Sequence, residues 1–371
     1  MKTCSRHNKL SRRSFLRMIG AATAGALASS CKSQETPFEA ASNQDGNALA
    51  QVAVAHATSY DAKLIHNQVR DLLDSIGGLG DIVSAGDRVA IKTNLTGGIG
   101  SKPLAGVAAI DSYITHPQVV GALAGFVRDA GAKEVLIVEA VYEWESYTQW
   151  GYEDIAKTVD AKLIDLNQTD PYGDFAATPV PEGRFVYKDL VFNHILEDVD
   201  AFISVSKLKC HYTCGVTHTM KNLIGLVPAR FYTLSPEDNY RSAFHGPEDQ
   251  TATRLPGVIM DLNRARPIHL GLIDGIKTTE GGEGPWIQTL APVQANVLLA
   301  GKDVVATDTV ATAIMGFDPT TDFPNPPFLR ARNHLNMAHE LGLGTNRLQD
   351  IEVIGPAITD VQIKFEPCWD S

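Results

Sequence analysis

The chain has 371 residues, of which 44% are hydrophobic and 20% charged, as in an ordinary globular protein. Its 43 acidic residues outnumber 32 basic residues, and the formal net charge is −11. This acidic balance argues against nucleic acid as a partner and against adhesion to anionic lipid, because both depend on an excess of positive charge. An anionic ligand would therefore need a local basic pocket.

The first 30 residues have the pattern of a twin-arginine export signal. Ser-Arg-Arg-Ser-Phe-Leu-Arg at 11–17 precedes an apolar run at 19–30, which is shorter than the roughly 20 residues of a transmembrane helix. We expect the twin-arginine export machinery as a partner, and the periplasm or cell envelope as the destination. Removing the six basic residues of this signal from the 32 leaves 26 against 43 acidic ones, a formal charge of −17.

The end of the signal resembles a bacterial lipoprotein box. Leu27 lies one position further from Cys31 than is usual in such boxes. Acylation of Cys31 would anchor the protein to a membrane through an N-terminal lipid, and cleavage by an ordinary signal peptidase is the alternative. Residues 31–50, rich in Ser, Gln and Asn, predict a flexible tether. We expect one α/β domain over 51–371.

From Arg88 onward, short β-branched runs alternate with helical segments. This alternation predicts an α/β fold with a mostly parallel or mixed sheet flanked by helices, and a ligand crevice at the carboxyl ends of the strands. An irregular insertion is expected at 142–174. The predicted strands are 89–94, 134–139, 162–166, 201–206, 268–274, 297–300 and 351–354, and the predicted helices are 115–131, 217–226, 256–264, 303–315 and 325–341.

Three short patterns bring basic side chains to the expected crevice. Two follow the period-two alternation of a strand, and the third has helical i, i+3, i+4 spacing. Such a set can bind phosphate or carboxylate, or hold a lysine as a base, and solvated strand ends are the alternative. The residues are Lys92 and Asn94 on the first strand, Lys207, Lys209 and His211 on the fourth, and His218, Lys221 and Asn222 on the next helix.

Carboxylates and one histidine complete the candidate set. Asp274 and Glu280 flank a glycine-rich loop and can bind a divalent metal or act as acid and base, and a solvated acidic turn is the alternative. Asp308 lies on an apolar helix face, where an ionised carboxylate needs a partner, and we expect a crevice lysine. His116 at a helix start either binds the ligand or caps the helix.

The cysteines are few and allow one metal hypothesis. No Cys-x-x-Cys-x-x-Cys run occurs in the sequence, so an iron–sulfur cluster is not expected. Cys210, Cys214 and His218 are spaced by four and would bind a soft metal on a continuous helix. Gly215 and the preceding strand disfavour that helix, and small buried thiols are the alternative interpretation.

These motifs in order resemble the domain-of-unknown-function 362 family over residues 88–319. Some of its members carry a ferredoxin-type cysteine cluster that this chain lacks, so a redox role based on that cluster is not implied. The resemblance implies the fold and the site positions, while the family reaction is unsettled. It depends on Ile91-Lys92-Thr93-Asn94-Leu95, Thr115-His116-Pro117, Lys207-Leu208-Lys209 with His211, the segment 220–226, Asp274-Gly275 with Glu280, Gly301-Lys302-Asp303, Asp308, and Met315-Gly316.

Three hypotheses for function follow. The first is an enzyme acting on a small anionic substrate, with metal assistance from Asp274 and Glu280 as one form of it. The others are an envelope lipoprotein that binds an anion or metal without chemistry, and a scaffold. The enzyme would use Lys209, His211, Lys221, Asp274 and Glu280 in catalysis, and Lys92, Asn94, His116, Lys207, His218, Asn222 and Asp308 in ligand binding.

Overall fold

The computed structural model describes residues 48–101, 104, 106–171, 173–247 and 250–369. The expected export signal, Cys31 and all but the last three residues of the tether lie outside these ranges. In the part of the chain that is described, no helix combines the length and the apolar character needed to cross a bilayer.

A nine-stranded mixed sheet is the centre of the described fold. Its strands follow the order β11-β1-β10-β9-β7-β2-β3-β4, and β8 pairs with β7 outside that path. Neighbours are parallel except at β1–β10, β10–β9 and β7–β8, while β5 and β6 form a separate hairpin. The strands are β1 (Ala50–His56), β2 (Arg88–Lys92), β3 (Glu134–Glu139), β4 (Lys162–Asp165), β5 (Phe175–Pro179), β6 (Asp189–Asn193), β7 (Ala201–His211), β8 (Gly215–Val216), β9 (Leu270–Glu280), β10 (Ala291–Gly301) and β11 (Ile351–Ile354).

Helices cover both faces of this sheet, which explains why its central strands are hydrophobic throughout. Ile91 packs with α1 and α2 on one face, and its neighbour Ala90 packs with α7 and α9 on the other. The helices are α1 (Ala62–Ser75), α2 (Pro117–Asp129), α3 (Glu145–Gln149), α4 (Tyr152–Thr158), α5 (His218–Lys221), α6 (Ser242–His245), α7 (Thr251–Ala265), α8 (Val304–Ile314), α9 (His334–Glu340) and α10 (Ile358–Val361). The α/β class with a mostly parallel, mixed sheet is confirmed.

Several predicted elements match closely, and others are corrected. The strands predicted at 134–139 and 351–354 match residue for residue. The predicted helix 217–226 is one α-helical turn, α5, followed by a 3-10 segment, Asn222–Leu226. The helix predicted over 325–341 is wrong for its first half, because only His334–Glu340 is helical and prolines occupy 326 and 327.

Candidate functional site

A cavity of about 1010 Å³ lies at the carboxyl ends of β2, β3 and β7. Among the described residues that line it, five are lysine or arginine and two are glutamate. The cavity is therefore a region of positive charge in an acidic protein, which favours an anionic ligand. The cationic side chains are those of Lys92, Lys209, Lys221, Arg241 and Arg330, and the carboxylates are those of Glu139 and Glu283.

Lys92 and Glu139 form a buried ion pair in the cavity wall. Lys92 Nζ lies 2.7 Å from Glu139 Oε1, and it also donates a hydrogen bond to Thr93 O at 2.7 Å. The other carboxylate oxygen, Oε2, accepts the Leu95 N–H at 3.0 Å. Burial lowers the pKa of Lys92 to about 8, although Glu139 opposes that shift. Because Glu139 already matches its charge, Lys92 contributes to the structure of the cavity wall more than to the binding of an anion.

Two asparagines place a free acceptor in the cavity. Asn94 Nδ2 donates to Asn222 Oδ1 at 2.9 Å, and Asn222 Nδ2 donates to Ser204 Oγ at 3.0 Å. These bonds fix both amides. Asn94 Oδ1 is buried and has no hydrogen-bond partner among the described residues, so it is available to a donor on a ligand.

Lys209 lies at the end of β7 with its amine bonded to main-chain oxygens. Its Nζ donates to Tyr113 O at 2.6 Å and to Glu283 O at 3.0 Å. Burial holds the pKa of Lys209 well below its usual value, and the nearby Lys221 lowers it further. The lowered pKa increases the fraction of this amine that has lost its proton.

His211 is held in one tautomer by the turn that follows β7. Its Nδ1 accepts the N–H groups of Thr213 at 3.1 Å and Cys214 at 3.2 Å. The ring hydrogen is therefore on Nε2. Burial also holds the pKa of His211 well below its usual value, so the ring is a neutral hydrogen-bond donor.

Lys221 is the cation that the protein leaves unmatched. Its side chain lines the cavity, and the described residues give its amine neither a hydrogen bond nor an ion pair. Burial lowers the pKa of Lys221, and the nearby Arg241 acts in the same direction. The Arg241 guanidinium donates to Val227 O and Ala140 O and stays close to this amine. A partly buried ammonium without a partner carries a desolvation cost, and an anion in the cavity would offset it.

Lys207, His116 and Asp274 lie outside the cavity in a sealed cluster with Tyr60. Asp274 Oδ2 accepts from Lys207 Nζ at 2.9 Å and from His116 N at 3.0 Å, while Oδ1 accepts from Tyr60 OH at 2.9 Å. The His116 ring stacks on Tyr60 at 3.7 Å, and its Nδ1 accepts the N–H of Gln118 as the N-cap of α2. Lys207 and Asp274 are fully buried, both Asp274 oxygens have protein donors, and none of the four residues lines the cavity, so we call this set the sealed cluster.

Alternation separates Lys92 from Lys207, and an irregularity in strand pairing lies between Lys207 and Lys209. Lys92 is in register with Ser204 on β7, so Lys207, three residues further, points to the opposite face, which α1 and α2 cover. The pairing of β7 with β9 is irregular between Lys207 and Lys209. Only Lys209 and His211 from this strand reach the cavity.

Asp308 is also outside the cavity, and the prediction that a crevice lysine is its partner is wrong. Its carboxylate accepts Thr219 N at 2.9 Å, Thr219 Oγ1 at 2.6 Å and Met220 N at 2.9 Å. Burial raises the pKa of Asp308 to about 7, although these bonds oppose the shift. The side chain therefore holds α5 in place. His218 is fully buried, with Nε2 3.2 Å from Met315 Sδ, and does not line the cavity.

The structure does not bring Asp274 and Glu280 together as a metal pair. They are six positions apart on β9, roughly 20 Å at the rise of a strand. Glu280 Oε2 accepts the Glu366 N–H at 2.8 Å, and both oxygens of Asp274 have protein donors. Across the described residues, no cluster of three or more His, Cys, Asp or Glu side chains can hold a metal ion.

The helical cysteine motif is corrected as well. Cys210 lies in β7, and Cys214 lies in the turn before β8, so no continuous helix stacks them with His218. Both thiols are buried and free. Burial raises the pKa of Cys214 to about 12, which keeps this thiol protonated.

Sequence reasoning missed several residues of the cavity wall. Glu139 ends a correctly predicted strand next to β2, so strand adjacency was a signal that could have found it. Arg241 and His245 belong to a segment without clear periodicity, and only the folded chain shows where they lie. The missed residues are Glu139, Tyr142, Arg241, His245, Glu283 and Arg330.

Comparisons with known proteins bear on the family and on the fold. Thylakoid-associated protein sll1697 of Synechocystis is 28% identical over 277 residues, which cover 73% of this chain and 76% of that protein. A crystal structure of a Thermotoga maritima protein has a TM-score of 0.32, and the lactate racemase apoprotein of Thermoanaerobacterium thermosaccharolyticum one of 0.34, each at 12% identity. The matches cover 64% and 66% of this chain, which spans about half the length of those two proteins, 55% and 54%.

The strongest of these findings is a match to a family model. The model described as "Domain of unknown function (DUF362)" matches residues 89–313. That range includes all but the first residue of β2, all of β7 and α5, and the cavity residues Lys92, Lys209 and Lys221. The chain belongs to the DUF362 family.

Proposed function

We propose that the chain is an enzyme that binds a small organic anion in the basic cavity and acts on it through the amine of Lys209. The observation that carries the proposal is the partly buried, unmatched ammonium of Lys221. A protein with a net charge of −11 places an excess of cations around one cavity, and one of those cations lacks a partner in the described chain. A carboxylate or phosphate would supply that partner.

The neighbours of Lys221 support chemistry as well as binding. A neutral lysine amine can take a proton from a substrate or attack it, and burial and a second cation shift Lys209 towards that form. His211 Nε2–H can donate to an oxygen that becomes negative during the reaction. Asn94 Oδ1 can accept from a substrate hydroxyl or amine.

An envelope lipoprotein that only binds an anion is the second candidate. Charged lysines would serve such a protein best, because an ammonium holds an anion more strongly than an amine does. The lowered pKa of Lys209 therefore favours the enzyme. The proposal needs no metal at Asp274 and Glu280, because each carboxylate has protein donors of its own.

Replacement of Lys221 by methionine tests the anion site. In titration calorimetry with a panel of carboxylates and phosphates, Lys221→Met should weaken binding by about tenfold or more, since a charge-assisted contact is lost. Its free energy of unfolding should stay equal or rise by about 1 kcal/mol, because no ion pair is broken. Lys157→Met, at a side chain that is 73% exposed, is the control. Unchanged affinity in Lys221→Met would refute the anion site.

Replacement of Lys209 separates the enzyme from the binding protein. Lys209→Met should keep most of the anion affinity, because Lys221 still holds the charge, and should abolish turnover of any substrate found for the parent chain. The opposite outcome has two parts: Lys209→Met loses the anion affinity of the parent chain, and neither protein shows turnover. That outcome would refute the enzyme and support the lipoprotein that only binds an anion.

Export and lipidation are further parts of the proposal, supported by the sequence of residues 11–17 and by Cys31. Replacing both Arg12 and Arg13 with lysine should leave the chain in the cytoplasm, because the export receptor reads the arginine pair. Cys31→Ala should remove labelling by a palmitate analogue, while Cys368→Ala should not. Labelling that survives in Cys31→Ala, or export that survives without the arginines, would overturn the respective part.

A further inference from the structure

We infer that Lys209 forms an imine with the carbonyl group of an aldehyde or keto acid bound in the cavity. This deepens the proposed function and rests on it, because the cavity must first hold the anionic group of the same molecule. It names both the substrate class, a carbonyl compound with a carboxylate or phosphate, and the bond by which the protein would act on it.

The hydrogen bonds of Lys209 suit an amine better than an ammonium. An ammonium has three N–H donors, and a neutral amine has two donors and one lone pair. Lys209 Nζ has two protein acceptors, Tyr113 O at 2.6 Å and Glu283 O at 3.0 Å, and the described residues supply no third. Both N–H groups of a neutral amine are thereby satisfied. The lone pair takes the remaining tetrahedral position, on a residue that lines the cavity.

The charges around Lys209 act in the same direction. Lys221 and Lys207 disfavour its protonated form, while Glu283 and Glu139 oppose them, and burial is the largest effect on its pKa. Lys207 is already matched by Asp274 and Lys92 by Glu139. Lys221 is thus the nearby cation without a carboxylate of its own. A lysine next to a second cation in a desolvated pocket is an activated amine nucleophile.

The reaction can be balanced with groups that are present. The Lys209 lone pair attacks the carbonyl carbon, the π electrons move to oxygen, and a proton passes from nitrogen to that oxygen to give a carbinolamine. The C–O bond then breaks as the C=N bond forms, and the oxygen leaves with both amine hydrogens as water. His211 Nε2–H is a donor for the oxygen in both steps, because its Nδ1 is occupied by two main-chain N–H groups.

The aromatic residues of the cavity indicate the chemical character of the rest of the ligand. Trp286, Tyr240 and Phe323 line the same cavity as Lys209 and are each about half exposed, at 47%, 45% and 46%. Trp286 Nε1 donates to Glu283 Oε1 at 2.9 Å, and the indole packs on the glycine backbone at Gly97 and Gly284. Cations and half-exposed aromatic rings that line one cavity fit a ligand with a charged head and a planar apolar body. Phenylpyruvate has both features and a ketone.

Reductive trapping tests the inference on the full chain. The protein is incubated with phenylpyruvate and cyanoborohydride, which converts an imine into a stable secondary amine, and intact mass and peptide mapping locate the product. We expect one adduct, at Lys209, formed about tenfold or more faster than at the exposed Lys157, because the neutral fraction of the amine sets its reactivity. Lys209→Arg should abolish this adduct, and Lys157→Arg should leave its rate unchanged.

Peptide mapping of the unaltered chain decides the question even if Lys209→Arg does not fold. Titration calorimetry with 3-phenylpropanoate, an analogue without the carbonyl group, tests the anion site separately from the imine. If it binds and phenylpyruvate gives no adduct at Lys209, the imine is refuted and the anion site stands. If labelling follows the exposure of surface lysines, the imine is likewise refuted. If neither compound binds, the imine and the proposed function both fail for this ligand class.

Discussion

Lys207 and Lys209 are two residues apart on β7, and both are almost fully buried, yet they belong to opposite kinds of site. Lys207 bonds to Asp274 and Tyr60 under α1 and α2, in a cluster where the described donors and acceptors are matched. Lys209 bonds to main-chain oxygens only and lines a cavity whose further cation, Lys221, has no carboxylate partner among the described residues.

The difference shows that a buried lysine is not evidence of function by itself. What distinguishes the two sites is whether protein groups already match the charge. The sealed cluster of Tyr60, His116, Lys207 and Asp274 should therefore contribute to stability. Lys209 and Lys221, the cavity lysines without a carboxylate partner, should contribute to binding at little cost to the fold when they are replaced. Three changes test this division, beginning with the largest expected effect.

Asp274→Ala should be the most damaging change. It removes the carboxylate that accepts from Lys207, Tyr60 and the His116 N–H and leaves a buried ammonium without its partner. We expect a loss of about 3–5 kcal/mol in the free energy of unfolding, measured by urea denaturation. Asp111→Ala is the matched control, because its pair with Lys277 is about one-third exposed and should be worth only about 0–1 kcal/mol.

If Asp274→Ala lost less than about 1 kcal/mol in the free energy of unfolding, Lys207 would give up its charge without cost. The ion pair of Lys207 would then not distinguish it energetically from Lys209. Asp274→Ala could also lose much of its free energy of unfolding and, in the fraction that stays folded, its ligand affinity. That result would show that the sealed cluster and the cavity are coupled through the loop that carries Tyr113.

The sequence predicts the sheet well, because its strands are short apolar runs that need only local pattern to be recognised. β3 and β11 have their predicted bounds, and His116 followed by Pro117 correctly starts α2. β1 and α1 were missed although Asp61 caps α1 in the usual way, accepting the Leu64 N–H at 2.9 Å. The β1 strand pairs with β10 and β11 from the far end of the chain, a contact that no local window contains.

The site is predicted only in part, for a different reason. Period-two alternation is sufficient to place Lys92, Lys209 and His211 at one end of the sheet, and the helical spacing places Lys221 and Asn222 beside them. Alternation does not state which face has helices above it or where pairing becomes irregular, and both decide the position of Lys207. Asp308 shows the same limit, since its partners are main-chain N–H groups that have no signature in the sequence.

Gly225→Ala should have an intermediate effect and should act on the cavity wall. A methyl group at this position would overlap Glu139 Oε1 and lie 2.9 Å from Lys92 Nζ, so the ion pair must separate or the 3-10 segment must shift. We expect a loss of about 1–3 kcal/mol in urea denaturation, together with weaker anion binding in calorimetry.

Gly125→Ala is the control for this change, because its Cβ would meet no atom closer than 4.0 Å and the residue lies within α2. It should be neutral or stabilise the chain by up to about 1 kcal/mol, since alanine is the better helix former. If Gly225→Ala were as stable as Gly125→Ala, the Lys92–Glu139 pair would be able to move aside without cost, and its position would not be fixed by the cavity wall.

The smallest effect should come from His116→Asn, and it should depend on pH. Burial lowers the pKa of His116 to about 4, below the usual value of 6.5, so between these values the unfolded chain binds the proton and the folded chain does not. The contribution of His116 is therefore complete above pH 6.5 and is lost as the pH falls towards 4, by about 1.4 kcal/mol per pH unit at most. Asparagine keeps a cap for the Gln118 N–H and cannot titrate in this range.

Urea denaturation of both proteins from pH 7.5 to 4.5 separates two consequences of this change. Loss of the stack on Tyr60 should lower the stability of His116→Asn by about 0.5–1.5 kcal/mol at pH 7.5, above both pKa values of His116. The decline below pH 6.5 should be shallower in His116→Asn than in the unaltered chain, so the two curves approach each other in acid. Parallel curves would mean that His116 takes up its proton in the folded chain beside Asp274, and the sealed cluster would then be open to protons although it is closed to ligands.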